Sequence, residues 1–125
     1  FNSGVPTQII FFDNNSVIFG EGIYEKIKQY YFEYQTVEFV LCLIGDKEKD
    51  YIITEIYKPE IIRQTFNSVS FKQCSKETLI VLHSHPNNRC IASSQDISML
   101  NNLKNINQDS AMMIMCSQGR FSLYK

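Results

Sequence analysis

The chain holds only two histidines, His83 and His85, two positions apart. The apolar run Thr78 to Leu82 leads straight into them and Pro86 follows, so the pair falls at the end of a buried strand. Residues i and i+2 of a strand point to one face, so both imidazoles project together at the sheet edge. Eleven positions after His85 stands Asp96, in the first turn of a helix that opens at Ser93. Two imidazoles and one carboxylate are the ligand set of a catalytic zinc, with a further position left open for water. A structural zinc more often takes four thiolate-rich ligands, and Cys42, Cys74, Cys90 and Cys116 form no CxxC pair.

A hydrolytic zinc needs more than its ligands. A carboxylate must accept the proton of the attacking water and pass it to the leaving amine. A hydrogen-bond donor must stand where the oxyanion develops. Glu38 is the candidate for the first task and the Ser93 hydroxyl for the second. Plainer readings exist for each. Ser93-Ser94-Gln95-Asp96 also reads as an N-cap serine with an acidic residue at N3, a variant of the capping box. Glu38 reads equally as an edge charge reaching solvent. Their conjunction favours chemistry, because a charge inside Val37-Glu38-Phe39-Val40-Leu41-Cys42-Leu43-Ile44 is costly without a partner.

Taken together, His83-x-His85-Pro86, with seven residues between His85 and Ser93, then Ser93-x-x-Asp96, resembles the JAMM (MPN⁺) metalloprotease motif at full spacing. Glu38 fits as well, at the start of a strand that ends in Gly45. The resemblance spans nearly the whole chain and is closest to the small stand-alone archaeal or bacterial type. It implies a mixed sheet flanked by helices, of the cytidine-deaminase-like kind. It implies one zinc per chain on His83, His85 and Asp96 with an activated water, Glu38 as general acid/base and Ser93 as oxyanion stabiliser. The implied reaction is hydrolysis of an isopeptide or peptide bond at the C-terminus of ubiquitin or a ubiquitin-like protein. C-terminal processing of a sulfur-carrier-like protein and a non-catalytic modifier-binding scaffold are the alternatives. Similar small archaeal proteins carry cysteines at places comparable to Cys90 and Cys116, which makes a Cys90–Cys116 disulfide a hypothesis from placement. Cys42, inside an apolar run, reads as a free buried thiol acting as a small hydrophobe. Nucleobase deamination, which uses a related fold, needs a His/Cys-x-Glu and a PCxxC that this chain lacks.

The elements that must position these residues follow from pattern. Gln8 to Phe12 and Val17 to Phe19, split by Asp13-Asn14-Asn15-Ser16, predict a short strand pair. Ile23, Ile27, Tyr30, Tyr31 and Tyr34 recur at helical spacing to about Gln35, with the tyrosines expected as core packing. Val37 to Ile44 predicts a central strand buried on both faces, and Tyr51 to Tyr57 its hairpin partner. Residues 60–77 read as a loop with one strand near Val69 to Phe71. The helix from Ser93 carries Ile97, Leu100, Leu103 and Ile106 on one face, and Ser110 to Met115 with Phe121 to Tyr124 predict a closing hairpin. The order predicts one α/β domain over residues 1–125.

Composition sets the outer bounds. The 125 residues are 44% hydrophobic and 20% charged, ordinary for one globular domain rather than a disordered chain. A formal net charge of −1 gives no bulk attraction to nucleic acid. No apolar run approaches the roughly 20 residues of a membrane-spanning helix. No secretory signal is read in these residues, and a cytoplasmic protein is expected.

Overall fold

The computed structural model describes residues 7–125, so residues 1–6 of the expected domain lie outside it. Its elements run β1 (Gln8–Phe11), β2 (Ser16–Phe19), α1 (Ile23–Glu33), β3 (Val40–Lys47), β4 (Tyr51–Tyr57), β5 (Ile61–Gln64), β6 (Val69–Phe71), β7 (Thr78–Ser84), α2 (Ser94–Ile106), β8 (Ala111–Ser117) and β9 (Arg120–Tyr124). Seven strands form one mixed sheet in the order β1-β2-β4-β3-β7-β8-β9, and β5 and β6 form a separate two-stranded sheet. The β2/β4 and β7/β8 pairs are parallel and the others antiparallel. The chain is thus a mixed α/β domain.

The period of two along β3 and β7 sorts their side chains between two layers. Phe39, Leu41, Leu43, Ile80 and Leu82 join Met113 and Met115 in the cluster that receives Ile23 and Ile27 of α1. Both isoleucines are buried one helical turn apart, and Tyr30, Tyr31 and Tyr34 continue the stripe. These three rings stand 6.2 to 6.4 Å from the Phe39 ring, centroid to centroid, so the tyrosines are core packing around the residue next to Glu38. The opposite face carries Val40, Cys42 and Val81 with Met99 and Leu103 of α2, and Met112, Ile114 and Cys116 with Leu100. Strand β3 is therefore buried on both faces at its start, Val40 to Leu43, and becomes exposed by Asp46 and Lys47.

Gly45 lies at a register shift against β4, where a Cβ would overlap the Ile52 carbonyl. Only glycine fits there, and the shift lets β3 run to Lys47, past the expected end at Ile44.

Three expectations are corrected. Residues 60–77 hold a hairpin, β5 and β6, rather than a loop with a single strand. Its strands are short and mostly half-exposed, so no alternation marks them in the sequence. The inner face of α2 follows Met99, Leu100 and Leu103, while Ile97 and Ile106 are 39% and 49% exposed. Cys42 is buried but not a free thiol: it is disulfide-bonded to Cys74, just beyond β6, with Cα atoms 5.9 Å apart. The hairpin delivers Cys74 to that face of β3, a tertiary placement that local pattern does not encode. A second disulfide joins Cys90 and Cys116, Cα atoms 5.1 Å apart. Among the described residues, no helix is long and apolar enough to cross a membrane.

Candidate metal centre

Antiparallel register builds the site. Val40, the first residue of β3, pairs with His83, and Phe39 before it bonds Ser84; the same register continued one step sets Glu38 opposite His85. Opposed residues of an antiparallel pair share a face, so Glu38, His83 and His85 all project toward α2. Ser84, between the histidines, points the other way, and its hydroxyl accepts the Phe39 N–H at 2.9 Å. The Ser84 N–H donates to the Phe39 carbonyl at 3.0 Å. The segment carrying Glu38 is thereby fixed against the strand carrying the imidazoles.

Helix α2 brings the fourth group. Ser93 is its N-cap: its hydroxyl accepts the Asp96 N–H at 3.2 Å, and Asp96 Oδ2 accepts the Ser93 N–H at 2.8 Å. This reciprocal box fixes the Asp96 rotamer at the mouth of the strand. The loop before it is pinned by β9. The Ser122 and Tyr124 hydroxyls donate to the Cys90 carbonyl at 2.7 and 3.0 Å, and the Ala92 N–H donates to the Tyr124 oxygen at 3.0 Å. Together with the Cys90–Cys116 bond, these contacts leave the ligand loop little freedom.

The resulting constellation is buried and convergent. Glu38 is 7% exposed, His83 1% and His85 6%, so Glu38 is no edge charge reaching solvent. Donor atoms of Glu38, His83 and His85 lie within 4.8 Å of one another, a group that can hold a metal ion. Asp96 stands closer still to the two Nε2 atoms, with Oδ1 at 3.4 Å from His83 and Oδ2 at 3.2 Å from His85. Glu38 approaches His83 on its other nitrogen, Nδ1, at 3.8 Å. Both Nε2 atoms thus face Asp96, while Glu38 stands on the Nδ1 side of His83.

Protonation supports the fit to a metal. His85 Nδ1–H donates to the Arg89 carbonyl at 2.8 Å, so in the neutral ring Nε2 carries the lone pair that could coordinate a metal. His83 Nε2 is buried and makes no hydrogen bond among the described residues, a lone pair that a metal would satisfy. The hydrogen bond to Asp96 raises the His85 pKa above 6.5, against the opposing pull of burial. For Asp96, burial pushes up, but His85, His83 and the Ser93 amide and hydroxyl together hold the carboxyl down at about 2. The carboxylate is charged at any ordinary pH and ready to ligate.

A cleft of about 360 Å³ opens onto this cluster, lined by Glu38, His85 and Ser93 together with Asn67, Arg89 and Ile91. Ser93 is thus on the same wall as the candidate ligands, and Ile91, 75% exposed, forms an apolar rim. A larger hollow of about 410 Å³ beside α1, lined by Lys26, Gln29, Tyr30, Glu33 and Ile56, contains no histidine or cysteine. Chemistry therefore points to the smaller cleft.

Sequence reasoning missed Ser84 and Gln64. Ser84 had a signal, a polar side chain in the otherwise apolar face of a buried strand. Gln64 has none, because its short, mostly half-exposed strand shows no alternation.

No protein-family model matches the chain, and no curated protein matches it.

Proposed function

We propose that this chain is a zinc-dependent hydrolase of the JAMM type, acting on an isopeptide or peptide bond at the C-terminus of a ubiquitin-like protein. The observation that carries the reading is the convergence of Glu38, His83, His85 and Asp96 on one buried point at the mouth of a cleft. A carboxylate in so buried a place costs several kcal/mol unless it is paired. Two carboxylates and two imidazoles brought together at the ends of two strands and a helix N-terminus are better explained by a ligand than by stability. The seven-stranded mixed sheet with a helix on each face is compatible with the cytidine-deaminase-like fold this reading implies.

His83 Nε2, His85 Nε2 and Asp96 would hold the ion, the three-ligand set of a catalytic zinc. Zinc bound there would supply a Lewis acid and an activated water. Glu38 takes up the proton and delivers it to the leaving amine. The Ser93 hydroxyl, which uses its lone pair as the helix cap, keeps its hydrogen for the developing oxyanion. The partner on this reading is a ubiquitin-like protein or its conjugate, not a nucleic acid. Two disulfides favour an oxidising compartment over the cytoplasm expected above, hyperthermophiles excepted.

The deciding experiment measures zinc per chain and cleavage of a ubiquitin-like–lysine isopeptide for the wild type, Glu38→Gln and Asp96→Ala. Linear C-terminal fusions of the same modifier and of a sulfur-carrier-like protein run beside it. About one zinc in wild type and Glu38→Gln, with turnover only in wild type, establishes the hydrolase and its base. Loss of zinc in Asp96→Ala assigns the third ligand. Retained turnover in Glu38→Gln would sink the role given to that residue. Zinc without turnover on any substrate would point to a modifier-binding scaffold.

A further inference from the structure

Glu38 lies beyond the last residue of β3 that pairs with β4, Cys42 opposite Tyr57. On that side its main chain needs other partners, and the β5–β6 hairpin supplies them. The Glu38 N–H donates to the Thr65 carbonyl at 2.8 Å. The Glu38 carbonyl accepts from the side-chain amide of Gln64 at 3.0 Å. The neighbouring Phe39 turns its N–H and carbonyl the other way, to Ser84. Glu38 is therefore gripped between the hairpin and β7, and one of the two contacts on the hairpin side depends on a side chain.

We propose that Gln64 is a positioning residue for Glu38: its amide fixes the Glu38 main chain so that the carboxylate stays directed at the imidazoles. The catalytic consequence rests on the hydrolase reading above, while the grip itself does not. Gln64 is half-buried and its amide bonds the main chain of Glu38, so it acts through Glu38. The hairpin it belongs to is anchored independently by the Cys42–Cys74 disulfide and by Ile61, Val69 and Phe71 packed against Val40 and Val81. Loss of the amide should therefore free Glu38 without releasing the hairpin.

Gln64→Met tests this, because it keeps the length of the side chain and removes the amide that bonds the Glu38 carbonyl. In the metal-free protein, hydrogen exchange of the Glu38 amide is read by NMR beside that of Val69 and Phe71 on the hairpin. Exchange at Glu38 should accelerate about tenfold, with the hairpin amides unchanged. In the zinc-loaded protein, kcat should fall about tenfold with KM and zinc content unchanged, since a small misplacement of a reacting group costs rate rather than binding. Unchanged exchange at Glu38 overturns the proposal. Faster exchange over the whole hairpin with wild-type kcat also overturns it, as that is a purely structural contact. Should the wild type cleave no substrate, the hydrolase reading fails, and the exchange measurement alone decides whether Gln64 holds Glu38.

Discussion

Phe39 donates its main-chain N–H to the hydroxyl of Ser84 at 2.9 Å, a buried bond between the residue after the candidate base and the residue between the two histidines. It couples two strands at the point where their side chains must meet. Ser84→Ala leaves that N–H unpaired in a site closed to water, and such a group costs about 1–3 kcal/mol. The urea midpoint should fall with an unchanged slope, while zinc binding persists because no candidate ligand is altered. Wild-type stability in Ser84→Ala would show that the bond contributes nothing.

The two disulfides predict no reactive thiol in the denatured, non-reduced protein. The Cys42–Cys74 bond closes a sequence separation of 32 residues and Cys90–Cys116 one of 26. Each should contribute about 2–4 kcal/mol by restricting the unfolded chain. Serine replacement of either pair, followed by denaturation, measures this. The Cys90/Cys116 pair should also weaken zinc binding, because it anchors the loop that leads to Asp96. The Cys42/Cys74 pair should leave zinc binding intact.

How much of this was legible from sequence depends on the range of the contact. His83 and His85 share a face by strand alternation alone, and Ser93 with Asp96 by helix capping, so both pairs follow from local rules. Glu38 needed one long-range step, the pairing of its strand with β7, and the buried charge supplied the signal. The Cys42–Cys74 bond and the Gln64 contact depend on the β5–β6 hairpin, whose four-residue and three-residue strands carry no periodicity. The rotation of α2 about its axis is likewise set by tertiary packing. Ile97 fits the apolar stripe, but the sheet presents Val81, Met112 and Ile114 to the side of the helix marked by Met99, Leu100 and Leu103.

Without metal, His85 and Asp96 make the stability of the protein depend on pH in two windows. The folded His85 pKa is raised above 6.5, so its contribution is complete below that pH and is lost as pH rises through the folded value. The Asp96 pKa is depressed from 3.8 to about 2, so its contribution is present above 3.8 and is lost as pH falls toward 2. Metal-free protein should be more stable near about pH 5 than near about pH 8 as far as this pair decides it. Zinc reverses the upper limb, because it must displace the His85 proton, and its affinity should rise with pH through the His85 titration. Denaturation midpoints with and without zinc across this range check both signs, and a metal-free midpoint indifferent to His85→Gln would refute the linkage.

Ser93 holds two tasks that one substitution can separate. Its hydroxyl caps α2, and Ser93→Ala should cost about 1 kcal/mol through the cap alone. Glycine is nearly as good at an N-cap, losing only a few tenths of a kcal/mol, yet it has no hydroxyl. If that hydroxyl donates to the oxyanion, Ser93→Gly should lower kcat on the order of 10²-fold while stability and zinc content stay near wild type. If it is only a cap, Ser93→Gly should turn over like the wild type and Ser93→Ala should show a stability loss alone. Turnover and denaturation measured on the same two variants distinguish the roles. Ser93→Thr, which keeps both cap and donor, should preserve most of each.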